Sequence, residues 1–326
     1  MIEVLQSGPA NSVQDAGRHG LLHLGISRGG AMDRLSHDLA NAMLGNPADA
    51  ATIEVASYPL RIRFQTGGSI ALAGADCAAE LDGGVLPPFW ASPVRKGTIL
   101  RLGPPRKGMR AYLALAGGVA VDPVMGSRST DLKAGFGGLA GRALAAGDIV
   151  GAGGGGAELP PGGAGMAADS DILGFWRTDT SRAEVAVIPA AEYGEFSPAA
   201  CRLFFDQPWT VSRDANRQGY RLDGPRLDRP AGRELLSHGL LPGVVQVPAG
   251  GQPIVQLADA NTCGGYPKLA VVIGPDLWKF AQLKPGAELR FVQTTVSQAL
   301  AAHQAQKALI ASVRRRCQVI SNTGRA

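Results

Sequence analysis

The chain has 326 residues, of which 45% are hydrophobic and 18% charged, with 45 glycines and 22 prolines. This balance excludes a disordered chain, favours short strands and tight turns over a helical bundle, and leaves room for two domains of ordinary size. The net charge of +5 is scattered, aromatic residues make up 6%, and the one dense basic run is Arg314–Arg316, so the basic stripe of a nucleic-acid binder is missing.

Residues 1–6 begin directly as a strand, with no basic region or long apolar core. No signal peptide is therefore expected, and no apolar run reaches the roughly 18 residues that span a membrane. Cys77, Cys201, Cys263 and Cys317 are isolated and fit reduced thiols, so the expected location is cytoplasmic.

The stretch from Val13 to Glu54 organises the rest of the chain. A glycine-punctuated loop, Val13 to Gly20 and then Gly25, Gly29 and Gly30, leads into a short helix. Asp33 suits its N-cap, Leu35, Leu39, Ala42 and Met43 form an apolar face, Gly45 suits C′, and Asn46-Pro47 stops it. Arg34, His37 and Asn41 fall on the other side, a polar face that either lines a cleft or is the solvated side of a surface helix. The glycines before a polar helix start expose backbone amides to an anion. His19 and His23 are four apart, but they sit in a loop with no carboxylate cluster, so no metal site is expected.

Strands are predicted within 52–64, 70–76, 98–102 and 110–119, with a hairpin at Asp82-Gly83-Gly84. Gly126 to Gly138 reads as a loop, and 146–150 as a turn and strand. Residues 151–170, almost all Gly, Ala and Pro, read as a linker. The second half repeats the style, with strands at 185–189, 244–248 and 253–259, a segment 209–212 that leads into 216–222, and 285–291 closing the domain. An Ala- and Gln-rich helix comes next at 296–313. The expected organisation is a β-barrel domain over 1–150, the linker at 151–170, a second β-barrel domain over 171–295, and a C-terminal helix with a basic tail over 296–326.

Three polar, glycine-rich loops carry groups suited to chemistry. Ser127, Arg128, Ser129 and Thr130 can bind a carboxylate or carbonyl with several donors at once, although loop bracing by Ser, Arg and Asp is an alternative use of the same residues. Gly264 and Gly265 let a ligand approach the backbone, and Lys268 can stabilise a developing negative charge. Asp33 and Asp259 are candidate bases or anchors, and Tyr220 and Arg221 candidate ligand donors. The opening loop and helix, the Ser127–Gly138 loop and the Thr262–Lys268 loop are expected to meet in one cleft. No Ser-His-Asp arrangement, no Gly-x-Ser-x-Gly elbow and no nucleotide-binding Gly-Lys-Ser/Thr loop is present.

Taken in order, Val13–Glu54, Gly126–Gly138, Asn216–Leu222, Ser237–Pro248 and Gly251–Lys268 resemble the family of 5-oxoprolinase C-subunits. That family also goes under allophanate hydrolase subunit 2 or biotin-dependent carboxyltransferase, and is similar to the carboxyltransferase part of urea carboxylase. The resemblance implies a mainly β chain of two cyclophilin-like β-barrel domains. It implies one component of a hetero-oligomer, working with A-subunit and B-subunit partners to open 5-oxoproline to glutamate, with ATP held by a partner. Kin of the family move a carboxyl group from carboxybiotin to a small amide such as urea. No Met-Lys attachment motif is present, so biotin too would be presented by a partner. Other members resemble regulators that bind a B-subunit-like partner and modulate a sensor kinase. On the matching positions the implied catalytic groups are Lys268, Asp33 and Asp259. The implied substrate-binding groups are Arg18, Gly30, Met32, Asn41, Ser127, Arg128, Asp131, Gly137, Tyr220, Arg221, Thr262, Gly264, Gly265 and Tyr266. The chain departs from the family pattern at Asn216, where Asp is expected, at Gln218, where Met is usual, at His238, where Glu is expected, and at Ala260-Asn261. These departures sit beside the expected site and leave the substrate open.

Overall fold

The structure is a computed structural model that describes residues 1–155, 159–166, 181–228 and 235–323. It divides into two compact units. The first holds Met1–Arg18, Asp33–Thr178 and Gln306–Ala326, and the second holds His19–Met32 and Asp179–Ala305. The opening stretch is thus shared, since its middle portion, His19–Met32, belongs to the second unit.

The first unit runs β1 (Ile2–Gln6), β2 (Ser12–Gln14), α1 (Arg34–Met43), β3 (Thr52–Val55), β4 (Leu60–Phe64), β5 (Gly68–Asp76) and β6 (Glu80–Leu81). It continues with β7 (Gly84–Val85), β8 (Trp90–Val94), β9 (Ile99–Leu102), β10 (Lys107–Leu115), β11 (Val119–Ala120), β12 (Ile149–Ala152) and β13 (Ala164–Gly165). Two sheets result, ordered β11-β12-β1-β4-β9-β6-β7 and β13-β8-β5-β10-β3-β2. One core joins them. β4 alternates, with Leu60, Ile62 and Phe64 inward and Arg61 and Arg63 outward, and Ile70, Leu72, Leu100, Leu102, Leu113 and Leu115 complete the same cluster. The predicted hairpin forms between β6 and β7, with Asp82 and Gly83 at φ 49° and 82°, the pair of positive values a two-residue turn of this kind requires. The Gly/Pro-rich stretch is not a plain linker in its described parts. Gly151 and Ala152 finish β12, and Ala164 pairs with Ala91 of β8. Residues 156–158 and 167–170 of the expected linker lie outside the described residues.

α1 begins and ends where expected. The Asp33 carboxylate accepts from Ser36 N, and Gly45 takes φ 70° just past the Leu44 C-cap. The predicted polar face is corrected, because α1 is enclosed. It packs against β5, β8 and β10, and His37 and Asn41 are both 0% exposed. His37 Nε2 lies 3.1 Å from Ala50 O, and Asn41 Nδ2 donates to the same oxygen at 2.9 Å. The Ala48–Ala50 turn has no side-chain signal that announces where it folds, so the polar side of the helix reads as solvated when it is satisfied internally.

The second unit runs β14 (Arg182–Pro189), α2 (Pro198–Asp206), β15 (Trp209–Val211), β16 (Gly219–Asp223), β17 (His238–Gly239), β18 (Val244–Gln246) and β19 (Ile254–Gln256). β20 (Cys263–Gly264), β21 (Lys268–Val272), α3 (Leu277–Gln282) and β22 (Glu288–Gln293) complete it, and α4 (Val296–Thr323) starts in this unit but belongs to the first from Gln306 onward. Seven strands close a barrel in the order β14-β21-β18-β19-β16-β15-β22, and β17 with β20 forms a separate ribbon. Among the described strands only the closing pair, β14 with β22, is parallel. The chain is mainly β, and both units are barrel-like, as expected. α4 is longer than the predicted 296–313 and continues through the basic run, so Arg314–Arg316 lie on a helix and not in a tail. Arg314 Nη1 donates to Asn46 O at 2.5 Å. No helix among the described residues is long and apolar enough to cross a membrane.

The barrel is anchored by an aromatic cluster. Phe204 of α2 stacks on Phe291 of β22 with centroids 4.4 Å apart and meets Trp209 at 6.2 Å, and the Trp209 indole N–H donates to Phe204 O. Phe204→Ala should therefore destabilise the second unit by about 3–5 kcal/mol in denaturant unfolding. Arg221→Ala, on the outward side of β16, should change it by less than about 0.5 kcal/mol. Equal effects would refute this account of what holds the barrel.

Candidate functional site

In the first unit the opening loop and the Ser127–Gly138 loop come together around one carboxylate. Asp15, 4% exposed, accepts from Ser127 Oγ at 2.6 Å, Ser129 Oγ at 2.5 Å, Arg128 N at 2.5 Å and Gly17 N at 2.8 Å. Burial pushes this carboxyl upward, but the two hydroxyls and the amides of Arg128 and Gly17 outweigh it and hold the group below its ordinary value. The donors read as suited to a ligand carboxylate are thus used on the protein's own. Ser127, Ser129 and Thr130 are buried, and Thr130 Oγ1 donates to Val13 O at 3.0 Å. The Arg128 Nε donates to Val121 O at 3.0 Å.

Arg18 lies in the same seam. It is 2% exposed, donates from Nη2 to Ser129 O at 2.6 Å, and holds its guanidinium carbon 4.5 Å from the centroid of the Phe136 ring. This packing demands glycine at 137, where a Cβ would run into Ser129 O and the Arg18 guanidinium. Asp131 turns the loop by accepting from Lys133 N and Ala134 N. An open cavity of about 440 Å³ adjoins it, lined by Val121, Asp122, Val124, Phe136, Gly137 and Gly138 among others. Asp33 and Asn41 lie elsewhere in this unit. Asp33 is fully buried as the α1 cap, with its amide donating to Tyr112 Oη at 2.7 Å, and Tyr112 Oη donates in turn to Glu54 at 2.7 Å. Burial first, and the Glu54 and Asp33 charges after it, push the Tyr112 hydroxyl well above its ordinary value, so it stays protonated as a donor. Asn41 ties Ala50 and Asn46 to α1.

In the second unit Arg217 and Asp259 form a two-point ion pair, Nε to Oδ2 at 2.7 Å and Nη2 to Oδ1 at 2.9 Å, and Arg217 Nη2 also donates to Gly30 O at 2.7 Å. With Gly29 N donating to Ala258 O, this pair fastens the segment containing Gly30 and Met32, so Asp259 has the geometry of an anchor. Tyr220 is 1% exposed and meets Phe280 edge-on at 6.0 Å, whereas Arg221 points outward. Strand alternation separates the two.

The Thr262–Lys268 loop belongs to this unit and leads into β21. Lys268 is 7% exposed and its ammonium lies 3.5 Å from Glu192 Oε2. Among the described residues the ammonium has no other partner. Cross-strand from it sits Gln246, which accepts from Gln256 Nε2 at 3.0 Å and donates to Tyr266 O at 3.2 Å. His238 lies on the ribbon opposite Gly264, with Nε2 3.7 Å from Glu192 Oε1. Its Nδ1 is 2.8 Å from Leu236 O, an oxygen that can only accept, so Nδ1 carries a proton. Thr262 and Gly264 are half-buried and Tyr266 is 48% exposed. The arrangement offers a cationic donor, an acceptor and an amide pair in a mostly enclosed place, which suits a group that develops negative charge on oxygen. Glu192, Gln246, Gln256, Asp15 and Arg217 escaped the sequence reading of the site. Only the two glutamines carried a signal, as polar residues inside otherwise apolar strands. At the departures from the family pattern, Asn216 still supplies an acceptor oxygen, to Gln218 N at 2.8 Å, as an aspartate would, and Ala260 is buried.

The Asp15 knot gives a pH-dependent expectation. Its folded value lies below the unfolded value of about 3.9, so its contribution is complete above that pH and is lost as the pH falls through the folded value. Asp15→Asn should lower unfolding stability by about 1.5–3 kcal/mol at neutral pH, and the gap to the wild type should narrow in acid below about pH 4. Denaturant melts at both pH values read this directly, and a gap of constant size would rule it out.

The family described as carboxyltransferase domain, subdomain A and B, matches residues 24–293. The chain is 44% identical to the C-subunit of 5-oxoprolinase from Escherichia coli over 94% of its own length and 96% of the relative. It is 34% identical to the protein of the same name from Haemophilus influenzae, over 97% and 98%. Urea amidolyase of Saccharomyces cerevisiae is 31% identical over 96% of the chain, which spans only 18% of that longer protein. The crystal structure of Kluyveromyces lactis urea carboxylase superposes with a TM-score of 0.86 at 27% identity, over 96% of this chain and 29% of that one. The protein therefore belongs to the family of 5-oxoprolinase C-subunits and matches the carboxyltransferase domain, subdomain A and B, over most of its length.

Proposed function

We propose that this chain is the C-subunit of an ATP-dependent 5-oxoprolinase and opens 5-oxoproline to glutamate together with A-subunit and B-subunit partners. The observation that carries this reading is the 44% identity to the Escherichia coli protein along nearly the whole of both chains. Lactam opening breaks a C–N bond at a carbonyl whose oxygen gains negative charge. Lys268 is the group suited to that oxygen, because a mostly buried ammonium acts with little screening by water. Asp33 and Asp259 serve in this reading as anchors, one capping α1 and the other holding Arg217. The nucleotide belongs to a partner, since the sequence carries no phosphate-binding Gly-Lys-Ser/Thr loop.

A second reading, a carboxyltransferase acting from carboxybiotin on a small amide such as urea, draws its support from the urea amidolyase and urea carboxylase similarity. A third, a regulator that binds a B-subunit-like partner without catalysis, draws on the departures at 216, 238 and 260.

Co-expression with A-subunit and B-subunit homologues should give a complex that cleaves 5-oxoproline only when ATP is present, while the chain alone is inactive. Lys268→Ala should assemble normally and lose about a hundredfold in kcat, the scale of a removed oxyanion donor. Turnover by the isolated chain, or a fully active Lys268→Ala complex, would count against the assignment.

A further inference from the structure

We propose that Glu192 is a positioning residue for Lys268, which rests on the role given to Lys268 above. β14 pairs with β21 through Pro189 opposite Ala270, and one residue later Ala190 N still donates to Leu269 O at 3.1 Å. The chain then turns, with Glu192 as N-cap of the short Tyr193–Glu195 helix, and this turn brings the Glu192 carboxylate to the start of β21. There one oxygen, Oε2, grips Lys268 twice. It accepts the Lys268 backbone N–H at 3.0 Å and faces the ammonium at 3.5 Å. The root and the tip of a long, flexible side chain are thereby referred to a single point, and the rotamer freedom of lysine is removed before any substrate arrives.

The second oxygen, Oε1, faces His238 Nε2 at 3.7 Å. The carboxylate thus lies between the lysine and the ribbon that carries His238 opposite Gly264. Both acid and ammonium are mostly enclosed, with side chains 12% and 9% exposed. In such a place a lone ammonium is costly and a paired one is held tightly. Gln246, across the strand from Lys268, spends its amide on Gln256 and Tyr266, so Glu192 is the group that sets where the ammonium points.

The test compares complexes carrying Glu192→Gln and Glu192→Asp with the wild type. Glu192→Gln keeps an acceptor for the Lys268 N–H and removes the charge. Its kcat should fall by about tenfold or more, with KM within about twofold, because the lost interaction acts in the transition state. The melting temperature should fall, because the enclosed ammonium loses its partner, but the complex should remain folded at the assay temperature, and Glu192→Asp, which keeps the charge on a shorter arm, should recover part of kcat. Wild-type kcat in Glu192→Gln, or activity lost only in step with lost fold, overturns the proposal. If the Gln variant fails to assemble, an intermediate kcat at unchanged KM in Glu192→Asp supports it, and a wild-type kcat there overturns it. A wild-type complex that leaves 5-oxoproline intact refutes the functional reading instead. The positioning is then read on the full chain by acetylation with acetic anhydride and peptide mass spectrometry. Lys268 should label several-fold faster in Glu192→Gln, while Lys279, held by Glu184 O and Asp276, serves as internal reference. Equal Lys268 rates in the two proteins overturn the proposal.

Discussion

The first unit depends on one buried carboxylate. Asp15 collects two hydroxyl and two amide donors, and three of the four come from Ser127, Arg128 and Ser129, more than a hundred residues along the chain. A carboxylate in such a place is tolerable only when its oxygens are saturated with donors, and the donors in turn have no other acceptor of equal strength. The constraint propagates outward. With Ser129 fixed, its carbonyl receives Arg18, Arg18 lies across Phe136, and the space left between them admits glycine at 137 and nothing larger. The cavity beside Phe136 has its walls set by this chain of contacts.

The second unit solves a different problem. Its barrel closes through a parallel pair, β14 with β22, in an otherwise antiparallel set, and its wall is filled by Val185, Val187, Leu222, Val245, Val255 and Leu269. Into that apolar wall the strands introduce Gln246, Gln256 and Lys268 on neighbouring strands. Each buried polar group is matched: amide to amide, amide to the Tyr266 carbonyl, ammonium to Glu192. A matched polar row inside a barrel contributes little net stability, since the pairs mainly offset their own desolvation. The Arg217–Asp259 pair does structural work by comparison, because its bonds close on Gly30 and on each other.

Local rules were legible in the sequence wherever one segment suffices to state them. Asp33 caps α1 because a short acceptor there meets free amides, Gly45 ends it because the next φ is positive, and Asp82-Gly83 turns a hairpin for the same reason. The strand β4 announced itself by alternation. The reading went astray where a polar group's partner is remote. His37 and Asn41 looked solvated because nothing nearby in sequence shows Ala50 folding over them, and Ser127, Ser129 and Thr130 looked available to a ligand because Asp15 and Val13 lie so far upstream.

By itself the sequence determined the ends of α1 and the glycine-rich loops that carry Arg128 and Lys268, because each is a property of residue order within a short window, and it determined the β-rich class through composition and the family through several such windows in order along the chain. Tertiary structure alone decided which carboxylate each donor meets: Asp15 for the Ser127–Ser129 loop, Asp259 for Arg217, and Glu192 for Lys268. The physical reason is that electrostatic and hydrogen-bond pairing acts over a few ångströms of space and is indifferent to separation along the chain. A lysine at a strand end reads the same whether it faces water or an acid 76 residues earlier, until β14 and β21 are laid side by side.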